Sequence, residues 1–411
     1  MHIFSFLSVP DLCISVAPVC TTWRNLSKSP TLWTHLVFQE ETEGEQVRIL
    51  LERSPLLLSL KLKGRKDCWD LLLQVSTSCT KLKELTLNHC CLSKSGFELL
   101  MENCPDICYL DLDLSYVYGI DFYDVIRGFH HLQHLSLCYC GFLDGSGLAI
   151  IAKHCQLLEY LNIEGNPHIY DDAVVCMTKE LSHCLKNLFL DGSNLTDTAY
   201  QSLQACKKLQ KLGVSSCEQM TDISLTGFSG LKYLTFLKLH CGTKLTPGGF
   251  LSLFCPESLP FLTHLDLELC SLVDDNVLKA LSCSCPRLVH LVLQWCREVT
   301  DAGISAIIAA CPRLRVLDLA GVVQLTGVAF IDLPSSLPDL LILDLEHCSR
   351  VDSMILQCIV AQKPSVRVLN YWGKQVIPPG PDGSDENKER RNCLQGKWTT
   401  PRLPVWIMRY Y

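Results

Sequence analysis

One spacing governs this chain. Leu288-x-x-Leu291-x-Leu293-x-x-Cys296 recurs as Leu82, Leu85, Leu87 and Cys90, then as Leu132, Leu135, Leu137 and Cys140. Leu262, Leu265, Leu267 and Cys270 fill the same frame, as do Leu340, Leu343, Leu345 and Cys348. Looser copies open at Leu57, Ile107, Leu158, Leu185, Leu209, Leu234, Leu314 and Val366, so thirteen openings follow one another at intervals of 24 to 28 residues. A fixed period of this length marks a solenoid, in which each unit has an apolar face that only its neighbours cover. The 411 residues therefore need not divide into two or three round domains.

Alternation in the Leu-x-Leu segment predicts a strand with its leucines inward and its x positions outward. A helix is predicted in the second half of each unit. In Val299-Thr300-Asp301-Ala302-Gly303-Ile304-Ser305-Ala306-Ile307-Ile308, Thr300 or Asp301 can cap it, and Ile304, Ile307 and Ile308 form its apolar stripe. The same wording returns at Thr221-Asp222-Ile223 and at Val273-Asp274-Asp275. Strand, turn and helix repeat, so an α/β solenoid is expected: a horseshoe with parallel strands on the concave face and helices outside.

The chain holds 25 cysteines. Cys90, Cys140, Cys217, Cys270, Cys296 and Cys348 lie eight residues after an opening, where the strand should turn. Cys79, Cys104, Cys155, Cys206, Cys285 and Cys311 lie three residues before one. Occupying two structural slots, they read as reduced packing residues rather than as disulfides. No Cys-x-x-Cys pair, His-Glu-x-x-His, Walker loop or Gly-x-Ser-x-Gly occurs. No metal, cofactor or catalysis is expected. The net charge of −7 gives no reason to expect a nucleic acid or a membrane as partner. The amino terminus lacks the basic lead and small-residue cleavage site of a signal peptide.

Repeats of this form, with Thr-Asp helix starts and Cys-Pro-Arg-Leu closures, resemble the cysteine-containing leucine-rich repeats of F-box proteins. Residues 1–38 do not follow the repeat. They contain Ile3-Phe4-Ser5-Phe6-Leu7, Pro10-Asp11-Leu12, Val19-Cys20-Thr21-Thr22-Trp23 and Leu32-Trp33. On their own these are short amphipathic helices, broken near Ser8–Pro10 and Ser29–Pro30, that need cover from the solenoid or from a partner. The string is similar to an F-box, shortened because the Leu-Pro lead ahead of Ile-Phe is missing. Pro18 falls where an uninterrupted helix is expected. The alternative is a cap on the end of the solenoid.

The resemblance implies a substrate-recognition subunit of an SCF-type ubiquitin ligase, itself non-catalytic, in the cytoplasm or nucleus. It would have a Skp-type adaptor, a cullin scaffold and an unknown protein substrate as partners. Ile3, Phe4, Leu7, Pro10, Leu12, Val19 and Trp23 match the adaptor-facing marks. The rival reading is a scaffold or inhibitor without ligase attachment. Substrate contacts are expected on the outward columns of residues 39–375. The middle column runs Lys61, Thr86, Asp111, Ser136, Asn162, Phe189, Gly213, Lys238, Asp266, Val292, Asp318, Asp344, Asn370, with Glu268 on one flank and Tyr109, Tyr160 and Phe236 on the other. From these, Tyr109, Asp111, Tyr160, Phe189, Phe236, Asp266, Glu268, Asp318 and Asp344 are taken as the substrate wall, with aromatic anchors and carboxylates suited to a basic segment. Solvated aspartates that merely fill Leu-Asp-Leu are the plain alternative. Residues 376–411 read as a Pro/Gly/charged linker and an aromatic tail, either folded back on the concave face or free.

Overall fold

The computed structural model describes residues 3–7, 11–118, 123 and 126–378. Fourteen strands pair in chain order into one sheet, from His35–Phe38 to Arg367–Leu369, and every pairing is parallel. Helices such as Cys68–Ser78, Gly145–His154, Asp275–Ser284 and Asp301–Ala310 return the chain between strands. This is the expected horseshoe. Two details differ. The sheet starts one strand before the thirteen openings, with His35–Phe38, inside the span read as the amino-terminal segment. At the other end Asp344 pairs with Leu369, so the last strand is displaced by one residue and Asn370 leaves the middle column.

One core cluster runs from Trp33 to Val368. Leu85, Leu87, Leu291 and Leu293 are wholly buried, each worth roughly 1.5–3 kcal/mol relative to exposure. The cysteines of the two recurrent slots are buried with them. Their thiols also donate weakly across repeats: Cys140 to the Leu112 carbonyl at 3.2 Å, Cys296 to Leu267 at 3.2 Å and Cys348 to Leu319 at 3.1 Å. All described cysteines are free.

The Thr-Asp helix start does two jobs. Thr300 is the N-cap, and its hydroxyl accepts from Ala302 N. Asp301 instead reaches forward, accepting from Thr326 N at 2.9 Å and Thr326 Oγ1 at 2.8 Å. Asp275 holds Thr300 in the same way, Asp222 holds Thr246, and Asp197 holds Thr221. A local cap signal is thus also an inter-repeat clamp.

Strand exits use the left-handed region. Seven residues after their openings, His89, Leu114, Tyr139, Ser216, Cys241, Leu269, Trp295 and His347 have φ between 53° and 62°. Gly64, Gly165, Gly321 and Gly373 share that position. Such a conformation costs a non-glycine residue about 1–2 kcal/mol. It aims each amide at the next repeat: Tyr139 N donates to Glu164 O at 2.8 Å, Leu269 N to Gln294 O at 2.8 Å, and Trp295 N to Ala320 O at 2.9 Å.

Candidate functional site

At the amino terminus, Phe4, Leu12 and Val16 form a small buried cluster of their own, packed by Leu26 and Leu32. Leu32 also touches the solenoid core, and Trp33 enters that core while its Nε1 donates to Ser27 O at 2.8 Å. The short helices are therefore pinned to the first repeat. The helical stretch Asp11–Val16 ends before Pro18, which lies in the turn of residues 17–19, and a new helix begins at Thr21. The uninterrupted helix is absent because proline offers no amide to continue it.

Among the residues matched to the adaptor-facing marks, the structure separates two groups. Ile3 is 76% exposed, Val19 58%, Trp23 42% and Leu7 37%. Phe4 and Leu12 turn inward, and the Phe4 ring meets Trp23 edge-on at 5.3 Å. Pro10 lies outside the described residues. Phe6 and Ile14 are also exposed and were not singled out in the sequence. Six exposed apolar side chains on one short segment are open to contact with a partner.

On the concave face, strand register confirms the columns through Asp344. The first outward column carries two runs of rings, joined by one ring from the middle column. Tyr109 stacks on His134 at 3.9 Å between centroids, and His134 on Tyr160 at 3.8 Å. Phe236, His264 and His290 continue it. Asn187 and Lys211 interrupt the column between these halves. Phe189, from the middle column, fills the gap, with its ring 5.7 Å from Tyr160 and 5.9 Å from Phe236. It can do so because its neighbour is Gly213, where an added Cβ would fall 2.5 Å from Phe189 Cδ1. Burial pushes both His134 and His264 down to about 4, and His290 down as well. The ladder is thus neutral at pH 7.

The acidic residues are less available than their outward positions suggest. Asp111, Asp266, Asp318 and Asp344 each fold back to accept the amide two residues on, at 2.9–3.2 Å. Leu-Asp-Leu is thus a strand-end device as well as a surface. Phe189, Asp266 and Asp318 are 5%, 7% and 2% exposed, which corrects their reading as open contacts: concave neighbours crowd the middle column. Asp318 is pushed up to about 7 by burial and then by Asp344, and it accepts from Gln294 Nε2 at 2.7 Å. Burial and then Asp113 push Asp111 up to about 6. Burial also raises Asp344 and Glu268.

At the centre, Lys238 Nζ meets Glu164 Oε1 at 2.8 Å. Burial opposes the ammonium, but Glu164 and then Asp266 more than offset it, so Lys238 sits above its ordinary range. Beside it, His240 Nε2 lies 2.8 Å from Asp266 Oδ2 and 3.8 Å from Glu268 Oε2. His240, Asp266 and Glu268 are close enough to share a cation, with donor atoms within 4.8 Å of one another. The Lys238 ammonium already supplies positive charge there, and its field reaches both carboxylates. Tyr109, Tyr160, Phe236 and Asp344 remain partly open to solvent along the wall. Most of the span 376–411, the fold-back reading included, lies outside the described residues. No helix among the described residues is long and apolar enough to cross a membrane.

Comparison with known proteins agrees with this geometry. Residues 1–39 match the F-box-like family, and residues 78–101 and 284–307 match the leucine-rich-repeat family. The chain is 26% identical over 294 residues to the SCF E3 ubiquitin ligase complex F-box protein pof2 of Schizosaccharomyces pombe. That alignment takes in 65% of this chain and 57% of the fission-yeast protein, so the chain spans little more than half of that relative's length. A solved complex of Rad7 and Elc1 from yeast is similar in fold, with a TM-score of 0.63 at 16% identity, covering 90% of this chain and 98% of that one. An internalin from Listeria monocytogenes is more distant, with a TM-score of 0.49 at 17% identity over 78% of this chain and 81% of its own. An F-box-like segment followed by leucine-rich repeats is the arrangement read from the sequence.

Proposed function

Taking an F-box-like segment joined to a leucine-rich-repeat horseshoe as the premise, we propose that this protein is the substrate receptor of an SCF-type ubiquitin ligase. The amino-terminal helices would dock on a Skp-type adaptor carried by a cullin, and the concave wall would hold a protein substrate for ubiquitin-dependent degradation in the cytoplasm or nucleus. The chemistry of ubiquitin transfer belongs to other subunits on this reading. The observation that carries it is the exposure of the apolar side chains of Ile3, Leu7, Val19 and Trp23 on a segment that matches the F-box-like family. Apolar side chains left in water this way are stabilised by burial in a partner. The fission-yeast relative, named as an SCF F-box protein, supports the same assignment.

For the substrate, the ring ladder from Tyr109 to His290 supplies rigid anchors. The carboxylates of Asp344 and Glu268 favour a basic segment beside them. Affinity capture of the full chain from cells should recover a Skp-type adaptor and a cullin, and Trp23→Ala should abolish both. Failure of the folded full chain to bind purified adaptor would overturn the proposal and leave a scaffold or inhibitor in its place.

A further inference from the structure

Three side chains from two adjacent repeats converge on the concave wall. His240 directly follows the strand Phe236–Leu239, Asp266 ends the strand His264–Asp266, and Glu268 stands two residues further on. The two strands pair with Lys238 opposite Asp266, so His240 falls opposite Glu268 on the flank of the middle column. Backbone bonds hold this frame: His240 N donates to Val214 O at 3.0 Å, Cys217 N to His240 O at 2.7 Å and Cys241 N to Glu268 O at 3.0 Å. Asp266 Oδ1 accepts from Glu268 N at 3.1 Å, which leaves Oδ2 turned toward the imidazole. No short ligand spacing announces the cluster, since His240 and Asp266 lie 26 positions apart.

His240 Nε2 is the atom that singles it out. It is buried and has no hydrogen-bond partner, a state that folded proteins seldom leave a polar atom in. Asp266 Oδ2 is 2.8 Å away but out of line for a hydrogen bond, and Glu268 Oε2 at 3.8 Å is too distant for one. All three donor atoms lie within 4.8 Å of one another. Donors held about 2.0–2.2 Å from one zinc ion stand roughly 3–4 Å apart, so small side-chain rotations bring these three to a single ion. Charge agrees. Glu164, Asp266 and Glu268 bring three carboxylates, while Lys238 brings one ammonium, hydrogen-bonded to Glu164 at 2.8 Å. A divalent cation offsets the remaining negative charge. An imidazole among carboxylates suits zinc, whereas magnesium and calcium prefer oxygen donors alone.

We infer that His240, Asp266 and Glu268 bind one zinc ion through Nε2, Oδ2 and Oε2. Three protein donors leave a coordination position open. That position would take a histidine side chain of the bound substrate, a neutral donor that the surrounding carboxylates do not repel. This last step rests on the substrate-receptor reading, and the metal site does not.

Zinc and cobalt titrations of the reduced, metal-free full chain test the site. The parent should take up one zinc ion more than either His240→Ala or Glu268→Gln, and zinc should raise its melting temperature but not theirs. Each variant should bind that ion at least about a hundredfold more weakly, more than loss of an outer partner costs a zinc site. Glu268→Gln keeps the side-chain shape, so its metal-free melting temperature should equal the parent's, and it decides the matter if His240→Ala does not fold. With cobalt, the parent should show visible ligand-field bands without the near-ultraviolet band of thiolate ligation. Imidazole should shift those bands, and magnesium should not displace the ion. Equal zinc uptake by the parent and Glu268→Gln, or a cobalt spectrum dominated by thiolate, would overturn the site. Bands that ignore imidazole would overturn the open position. Loss of adaptor capture with zinc uptake intact would overturn the ligase reading alone.

Discussion

Lys238 and Glu164 form an ion pair at 2.8 Å although 74 residues separate them in sequence. Lys238 lies on the strand Phe236–Leu239 and Glu164 directly follows the strand Tyr160–Ile163, with two strands, Asn187–Asp191 and Lys211–Ser215, between them. Both side chains are only 10% exposed. The pair therefore ties four strands of the concave wall together at its centre, beside the rings expected to meet substrate.

Removing one partner of such a pair leaves the other charge buried, which costs about 3–5 kcal/mol. Lys238→Met alone and Glu164→Gln alone should each lower the urea midpoint by a corresponding amount. The double variant should recover most of that loss. Additive losses would show that the two groups act independently.

Trp23 and Leu12 both match adaptor-facing marks, yet they occupy different environments. Trp23→Ala should abolish adaptor capture while the far-ultraviolet spectrum and melting temperature stay as they were. Leu12 is 1% exposed, so Leu12→Ala should lose roughly 2–5 kcal/mol from the packing of its small cluster. Limited proteolysis should then cut the amino-terminal segment first. Equal resistance of the two variants would contradict the inward placement of Leu12.

Asp318 supplies a pH signature. Its folded value is raised to about 7, while an unfolded aspartate titrates near 3.9. Between these values the folded chain holds a proton that the unfolded chain has lost, so this group's contribution to stability falls as pH rises from about 4 to about 7. Asp318→Asn should be more stable than the parent by roughly 1–3 kcal/mol at pH 8, with the gain vanishing near pH 4. Gln294 can turn its amide to suit either side chain. Melting curves across this range provide the check. His134 and His264, held down at about 4, act in the opposite sense in both proteins and cancel in the comparison.

The cysteines should behave as packing groups. Burial pushes the thiols of Cys140, Cys155, Cys270 and Cys348 up to about 12. Only a thiolate is alkylated efficiently. Iodoacetamide at pH 8 should label Cys13, Cys20, Cys255, Cys283 and Cys358, which are exposed, and should reach the buried slots only in denaturant. A reductant should leave the melting temperature unchanged. Rapid native labelling of Cys296 or Cys311 would contradict the packed wall.

The sequence by itself determined the solenoid, because the period-two strand and the three–four spaced helix are local patterns that every repeat restates. Leu291, Leu293, Ile304 and Ile307 can each be assigned inward from their own neighbours in the chain. It also determined which residues stand in each outward column, since register follows from the same spacing up to the displaced last strand. What it could not carry was which side chains of neighbouring repeats meet. Asp301 reads as a cap until Thr326 of the next turn is placed beside it. Phe189 reads as an open anchor until Gly213 gives its ring room to lie down across the break in the ladder. Asp318 reads as a solvated acid until curvature brings Gln294 and Asp344 around it. Tertiary structure decided these because burial, ring stacking and charge pairing depend on distance in space, and the stacking of repeats brings together residues some 25 or more positions apart, beyond any local signal.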